Sequence, residues 1–269
     1  MNTATFPRLF PAADAGFITL PAAVQEARVA YDRISTEGYP APETHYDTID
    51  RLVTDTVKAV QAGTPLPDCA AVDDARRAEQ VATDQAEVLR MAVETLAAQV
   101  RASVDAGEVM TRHLQPAHTE VVKQLCAALG VVAAHHASGT SVLLASQKVR
   151  AAEASIDGLV ERYTAIRQAR VDLDIACSYA PALDVDGEFG EIFNPERVWT
   201  RTQNRNFNAG TPPWPRTPTR ARLAWFIAHG CEVWLPTPTQ QDERFAAVYA
   251  EQIEAAEHQR HMGAAIGVG

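Results

Sequence analysis

The chain has 269 residues, 46% of them apolar and 22% charged, proportions of a globular protein rather than a disordered one. Its formal charge of −10 excludes a surface uniformly adapted to nucleic acid or anionic lipid. No apolar run approaches the roughly 20 residues of a membrane span, and Met1–Leu20 lacks the apolar stretch of a signal peptide, so a cytoplasmic location is expected. Cys69, Cys126, Cys177 and Cys231 form no Cys-x-x-Cys pair; free, mostly buried thiols are the expectation. Aromatics are only 7% and Ala is abundant, which favours helices over sheets.

Residues 1–20 contain Pro7, Pro11 and Gly16 and read as an irregular arm anchored by Phe6, Leu9, Phe10 and Phe17. Pro21 can open a helix whose apolar face is Val24, Ala27, Tyr31 and Ile34. After the Tyr39–Pro42 break, Thr44 can cap a second helix with the stripe Ile49, Leu52, Val53, Val57 and Val60, closed by Gly63. Thr64-Pro65-Leu66-Pro67-Asp68 is a stiff connector. From Ala82 the apolar positions alternate in steps of four and three: Ala82, Ala86, Leu89, Val93, Leu96, Val100, then Ser103, Gly107, Met110 and Leu114. This is a coiled-coil seam rather than the broad stripe of a surface helix. A second seam runs Val142, Ala145, Val149, Ala152, Ile156, Leu159, Tyr163, Ile166, Arg170 and Leu173. Each arm spans about 50 Å at 1.5 Å per residue. Pro116 should end the first arm, and His118–Ala137 should form an all-round apolar helix. Ser103, Gly107 and Arg170 fit a seam poorly and mark a bend, a wet gap or a partner's contact.

The last third changes character. Asp186-Gly187 between alternating residues signals a hairpin. A Pro- and Asn-rich stretch, 200–219, leads to a short helix over 220–229 and a candidate strand Val233-Trp234-Leu235. Thr239 is placed to cap a last helix with Phe245, Val248, Tyr249 and Ile253 on its apolar face. The expected fold is mainly α: a long antiparallel helical hairpin or three-helix coiled-coil bundle with a small α+β C-terminal region. The expected parts are residues 1–67, an arm and two short helices; 68–180, the bundle; and 181–269, the α+β region with its basic loop.

The strongest anomaly in the chain is electrostatic. From Arg197 to Cys231 there are six arginines (Arg197, Arg201, Arg205, Arg216, Arg220 and Arg222) and no acidic residue, interleaved with Trp199, Phe207, Trp214, Trp225 and Phe226. Arg and Trp are enriched at interface hot spots, so the preferred reading is contact with a protein: the chain's own acidic body, a second copy, or a partner. The alternative is stacking on single-stranded nucleic acid, although no recognised nucleic-acid module accompanies the segment. The predicted partner-binding set is Arg197, Trp199, Arg201, Arg205, Phe207, Trp214, Arg216, Arg220 and Arg222.

Other chemistry is thinly represented. Asp184, Asp186, Glu188 and Glu191 crowd the hairpin without the ligand spacing of an EF-hand. Glu254, His258 and His261 share a helix face and form the basis of a third reading, a metal-dependent enzyme. HExxH, GxSxG, the Walker loop and GxGxxG are all missing. The expectation is a non-enzyme with no cofactor and no metal.

Three lysines (Lys58, Lys123 and Lys148) stand against 21 arginines, a usage that resembles proteins of high-GC genomes. The connector Pro65-Leu66-Pro67, the run Asp73-Asp74-Ala75-Arg76-Arg77-Ala78-Glu79 and the Ala-rich heptads together cover roughly residues 60–175. They resemble helical products of structural-gene clusters in phages and prophages of such bacteria. That resemblance implies a virion head, neck or tail component and transfers no site residue.

Overall fold

The computed structural model describes residues 6–36, 44–139, 145–178, 182, 188–199, 212–250 and 254. Among them the chain is mainly helical and contains no strand; one isolated antiparallel bridge joins Ile192 to Val233. No helix among the described residues is long and apolar enough to cross a membrane. The chain divides into two compact units, Pro21–Val104 and the remainder, Met1–Leu20 with Asp105–Gly269. These divisions differ from the boundaries expected at 67/68 and 180/181. The physical reason is packing: the helices before residue 67 lie on the first long arm, and the N-terminal arm lies on the second.

In the unit Pro21–Val104, α2 (Ala22–Thr36) and α3 (His45–Ala62) both pack on α4 (Ala70–Ser103). The α3 boundaries follow from local chemistry. The Thr44 hydroxyl accepts from the Asp47 N–H, and the Asp47 carboxylate accepts from the Thr44 N–H at 3.1 Å, a reciprocal capping box. Gly63, at φ +63°, closes the helix where a side chain would be strained. Glu79 of α4 accepts from the His45 N–H at 3.2 Å and lies 2.6 Å from its Nδ1, which pins the first turn of α3. The predicted α3 stripe splits. Ile49 and Leu52 are half-buried and Thr48 is buried, whereas Val53, Val57 and Val60 are exposed. A single neighbouring helix covers only one side of a helix, and the valines lie about 100° further round.

In the other unit, α7 (Gln147–Ala176) is the axis, packed by α1 (Leu9–Asp14), α6 (Gln115–Ala137) and α8 (Thr219–Ala228). Of the positions in the second seam, Ala145, Ile156, Tyr163, Ile166, Arg170 and Leu173 are buried and Val149, Ala152 and Leu159 half-buried, while Val142 lies outside the described residues. Phe6, Leu9 and Phe10 anchor the arm as expected, and Phe17 is half-buried. Asp172 explains the start of α1, since its carboxylate accepts from the Arg8 N–H at 2.5 Å and the Leu9 N–H at 2.9 Å. A carboxylate from α7 therefore serves as the cap that Arg8 cannot supply.

The first arm ends earlier than predicted. The helix stops at Ser103, and Asp105 caps α5 (Ala106–Glu108), its side chain accepting from the Glu108 N–H at 2.9 Å. A π-helical turn, Val109–Leu114, then leads directly into α6, and Pro116 sits inside this continuous run. Proline interferes with the carbonyl four residues back; widening the preceding turn relieves that clash, so Pro116 need not terminate the helix.

The hairpin expected at Asp186-Gly187 lies outside the described residues. The candidate strand at 233–235 is reduced to the bridge, with Phe193 N–H to Glu232 O at 2.8 Å and Trp234 N–H to Glu191 O at 3.1 Å. The last helix, α9, covers 238–250. Its cap is Thr237 rather than Thr239: the Thr237 hydroxyl accepts from the Gln240 N–H at 3.2 Å, and the Gln240 side chain returns to the Thr237 N–H at 2.8 Å. Pro238 then fills the first helical position, where its missing N–H does no harm.

Candidate functional site

Arg201, Arg205 and Phe207 lie outside the described residues, as do His258 and His261. The other members of the arginine-rich segment are largely engaged by their own chain. Arg220 reaches α7, with Nη2 2.5 Å from Glu153 and Nη1 3.2 Å from Asp157, and the Glu153 hydrogen bond raises its pKa further. Arg222 sits 3.2 Å from Glu191 and donates to the Arg216 carbonyl at 3.2 Å. Arg197 donates to the Gly230 carbonyl at 3.3 Å. Arg216 is exposed.

The aromatics turn towards one another. Trp199 and Trp214 meet edge-on at 5.5 Å, Trp214 lies 5.9 Å from Trp225, and Trp225 stacks on His229 at 3.8 Å. Edge-to-face packing of this kind is itself favourable, and it occupies faces that a nucleobase would need.

Beneath this segment lies a polar strip on α7 that composition did not reveal. Tyr163, 1% exposed, donates to Glu191 at 2.6 Å, and burial holds its phenol well above the ordinary range. Arg167 donates to the Gly190 carbonyl at 3.1 Å, and Arg170 reaches the same carbonyl at 3.3 Å. Arg170 also donates to Gln241 at 2.9 Å and pairs with Asp174 at 3.2 Å. A Cβ on Gly190 would meet the Gln241 amide at 3.2 Å, so glycine is what permits this close approach.

His118, on α6, packs its ring 5.2 Å from Tyr163. Its Nε2 is buried without a hydrogen-bond partner. Burial, then the charges of Arg167 and Arg170, push its pKa down to about 3, so the ring is neutral at pH 7. These groups tie residues 188–194 and α9 to α7. The tyrosine is held protonated and Glu191 is engaged by both Tyr163 and Arg222, so the strip fastens the fold rather than presenting a nucleophile and base. The sequence had shown Tyr163 and Arg170 as seam positions and Glu191 as one of a cluster of carboxylates, but not that they meet.

A cleft of about 220 Å³ lies between Met110, Leu173, Asp174, Cys177, Pro238 and Thr239. It is smaller than the roughly 300–1,000 Å³ of typical ligand sites. The expectation of mostly buried thiols is corrected: Cys69, Cys126 and Cys177 are exposed and only Cys231 is buried. Cys69 is the N-cap residue of α4 and Cys177 the C-cap residue of α7. Burial raises the pKa of Cys126, of Cys177 (with Asp174 and Asp105 adding to it) and of Cys231, the opposite of nucleophile activation. Among the described residues no group of three or more His, Cys, Asp or Glu could hold a metal ion. No protein-family model, curated protein or solved structure matches this chain.

Proposed function

We propose that this protein is a structural, non-enzymatic component that self-associates or docks to partner proteins through its coiled-coil-like helices. In keeping with the resemblance noted above, we place it as a virion head, neck or tail component of a phage or prophage. The observation that carries the reading is the imbalance within Pro21–Val104. Its buried residues among those described are Val24, Thr48, Ala97 and Val100, yet Val29, Val60, Val81 and Val88 are each more than half exposed. Helices with so little interior gain most of their stability from further packing, and a second protein surface supplies it.

The arginine-rich segment supports contact with protein rather than nucleic acid. Phosphate recognition uses cations free to displace counterions, whereas Arg220 and Arg222 already neutralise Glu153, Asp157 and Glu191 of the same chain. Sedimentation velocity of the purified chain, from sub-micromolar to high-micromolar concentration, tests the proposal. Concentration-dependent mass above that of one chain is expected. A monomer throughout, with no partner retained, would sink it.

A further inference from the structure

We infer that the N-terminal arm, residues 6–20, is exchanged between copies, the arm of one packing on α7 of a second; this rests on the self-association reading above. The arm is held as a bound peptide is held. Leu9, Phe10, Ala12, Ile18 and Leu20 are its buried side chains, while the body addresses its backbone. Asp172, 4% exposed, accepts from the Arg8 and Leu9 N–H groups, and its other described partner is the Arg8 guanidinium, at 3.4 Å. Arg162 donates to the Phe17 carbonyl at 3.4 Å, and the Thr19 hydroxyl lies 3.2 Å from Nδ1 of His113. The arm takes its shape from this seat. With six residues, α1 is too short to persist alone, and Phe6 sits at φ +60°, where a bulky residue stays only when its surroundings hold it.

The connectivity selects the occupant. The chain leaves the α7 unit at Leu20 and re-enters it at Asp105, so the arm is tied to its own groove by the whole unit Pro21–Val104 and by no short loop. A tethered segment outcompetes a free one only through its effective concentration, which falls as the tether lengthens. Every other copy offers the same groove, with Asp172, Arg162 and His113 in the same places. Exchange therefore keeps each contact of the arm and requires no new one. A groove without an arm would leave the Asp172 carboxylate buried and unpaired, which is costly. An arm that leaves one copy is accordingly replaced by the arm of the other, and the reciprocal exchange closes at two copies.

Sedimentation equilibrium of the full chain tests the exchange. Wild type should dimerise with concentration. L9D/F10D spoils the arm and leaves the groove, whereas D172A spoils the groove and leaves the arm. Alone, the first should weaken the dimer about tenfold or more and the second about fivefold or more. Mixed in equal amounts, they should form a heterodimer tighter than either variant's own dimer, because the intact arm of one meets the intact groove of the other. A synthetic peptide of residues 6–20, added in excess, should lower the dimer fraction of wild type, a readout that needs no variant to fold. A wild-type dimer indifferent to both variants and to the peptide would overturn arm exchange and leave self-association standing. Losses in both variants with no recovery on mixing would overturn it too, since the arm would then act only within its own chain. A wild-type monomer at every concentration would overturn both proposals.

Discussion

The two units use the same local chemistry and reach different degrees of completion. Around α7, helices α1, α6 and α8 close over a stripe that includes Ile156, Tyr163 and Ile166, with a hydrogen-bonded polar strip beside it. Around α4, two helices cover part of one side, and valines on α3 and α4 stay in solvent. Helix lengths are as great in the second unit as in the first, α4 alone having 34 residues, and α3 carries a full capping box. Helix formation and burial are thus separable. A chain can specify a helix locally and still leave one of its faces for another molecule.

The largest test of this contrast concerns the cores. Ile166→Ala should destabilise the α7 unit by about 2–5 kcal/mol, measured by urea unfolding, whereas Val57→Ala should stay within about 0.5 kcal/mol under monomeric conditions. Comparable losses would abolish the distinction.

Acid should act on the same unit. His118 has a folded pKa near 3 against an ordinary value of 6.5. The neutral ring therefore contributes stability that is fully present above about pH 6.5 and is lost as the pH falls towards 3, because the unfolded chain takes up the proton first. Between pH 7 and pH 4.5 this single group should account for about 2–3 kcal/mol. His118→Phe should flatten that part of the pH–stability curve, and an unchanged slope would remove His118 as its source.

Asp172→Ala removes the cap of α1 and leaves the Arg8 and Leu9 N–H groups unanswered; a loss of about 1–2 kcal/mol is expected. Limited proteolysis should then cut near residues 6–14 faster than in wild type. Smallest of all, Arg90→Ala breaks the exposed pairs with Glu87 and Glu94, at 2.6 Å and 2.5 Å. It should leave the unfolding midpoint almost unchanged, since surface pairs gain little over hydration. A larger loss would mean that α4 depends on its surface charges for want of interior.

Legibility varied with the range of the interaction involved. The Thr44 cap and the Gly63 stop were visible because each rests on groups a few residues apart. The α7 seam was visible because periodicity records which face is buried. The cap at Thr237 was misplaced by two residues, since Pro238 and Gln240 together favour it over Thr239. The break at Val104–Asp105 was signalled only by Ser103 and Gly107 as poor seam residues, while the heptad steps continue across it. Of the candidate site, Arg220 and Arg222 could be named from the sequence, but their acidic partners on α7 and at Glu191 could not. Tyr163 stood at a seam position, but its bond to Glu191 and the burial of His118 could not be read, because a polar side chain at an apolar helical position looks the same whether it faces water or a neighbouring helix.

Composition, capping residues and the four–three spacing were sufficient to specify helices and, on α7, the face that is buried, since those depend on rotation about one axis; on α3 they were not, because Val53, Val57 and Val60 stay exposed. Which helices meet depends on contacts between residues far apart in the chain. Packing alone assigned α2 and α3 to α4, gathered α1, α6 and α8 around α7, and brought Arg220 onto Glu153 and Asp157 and Arg222 onto Glu191.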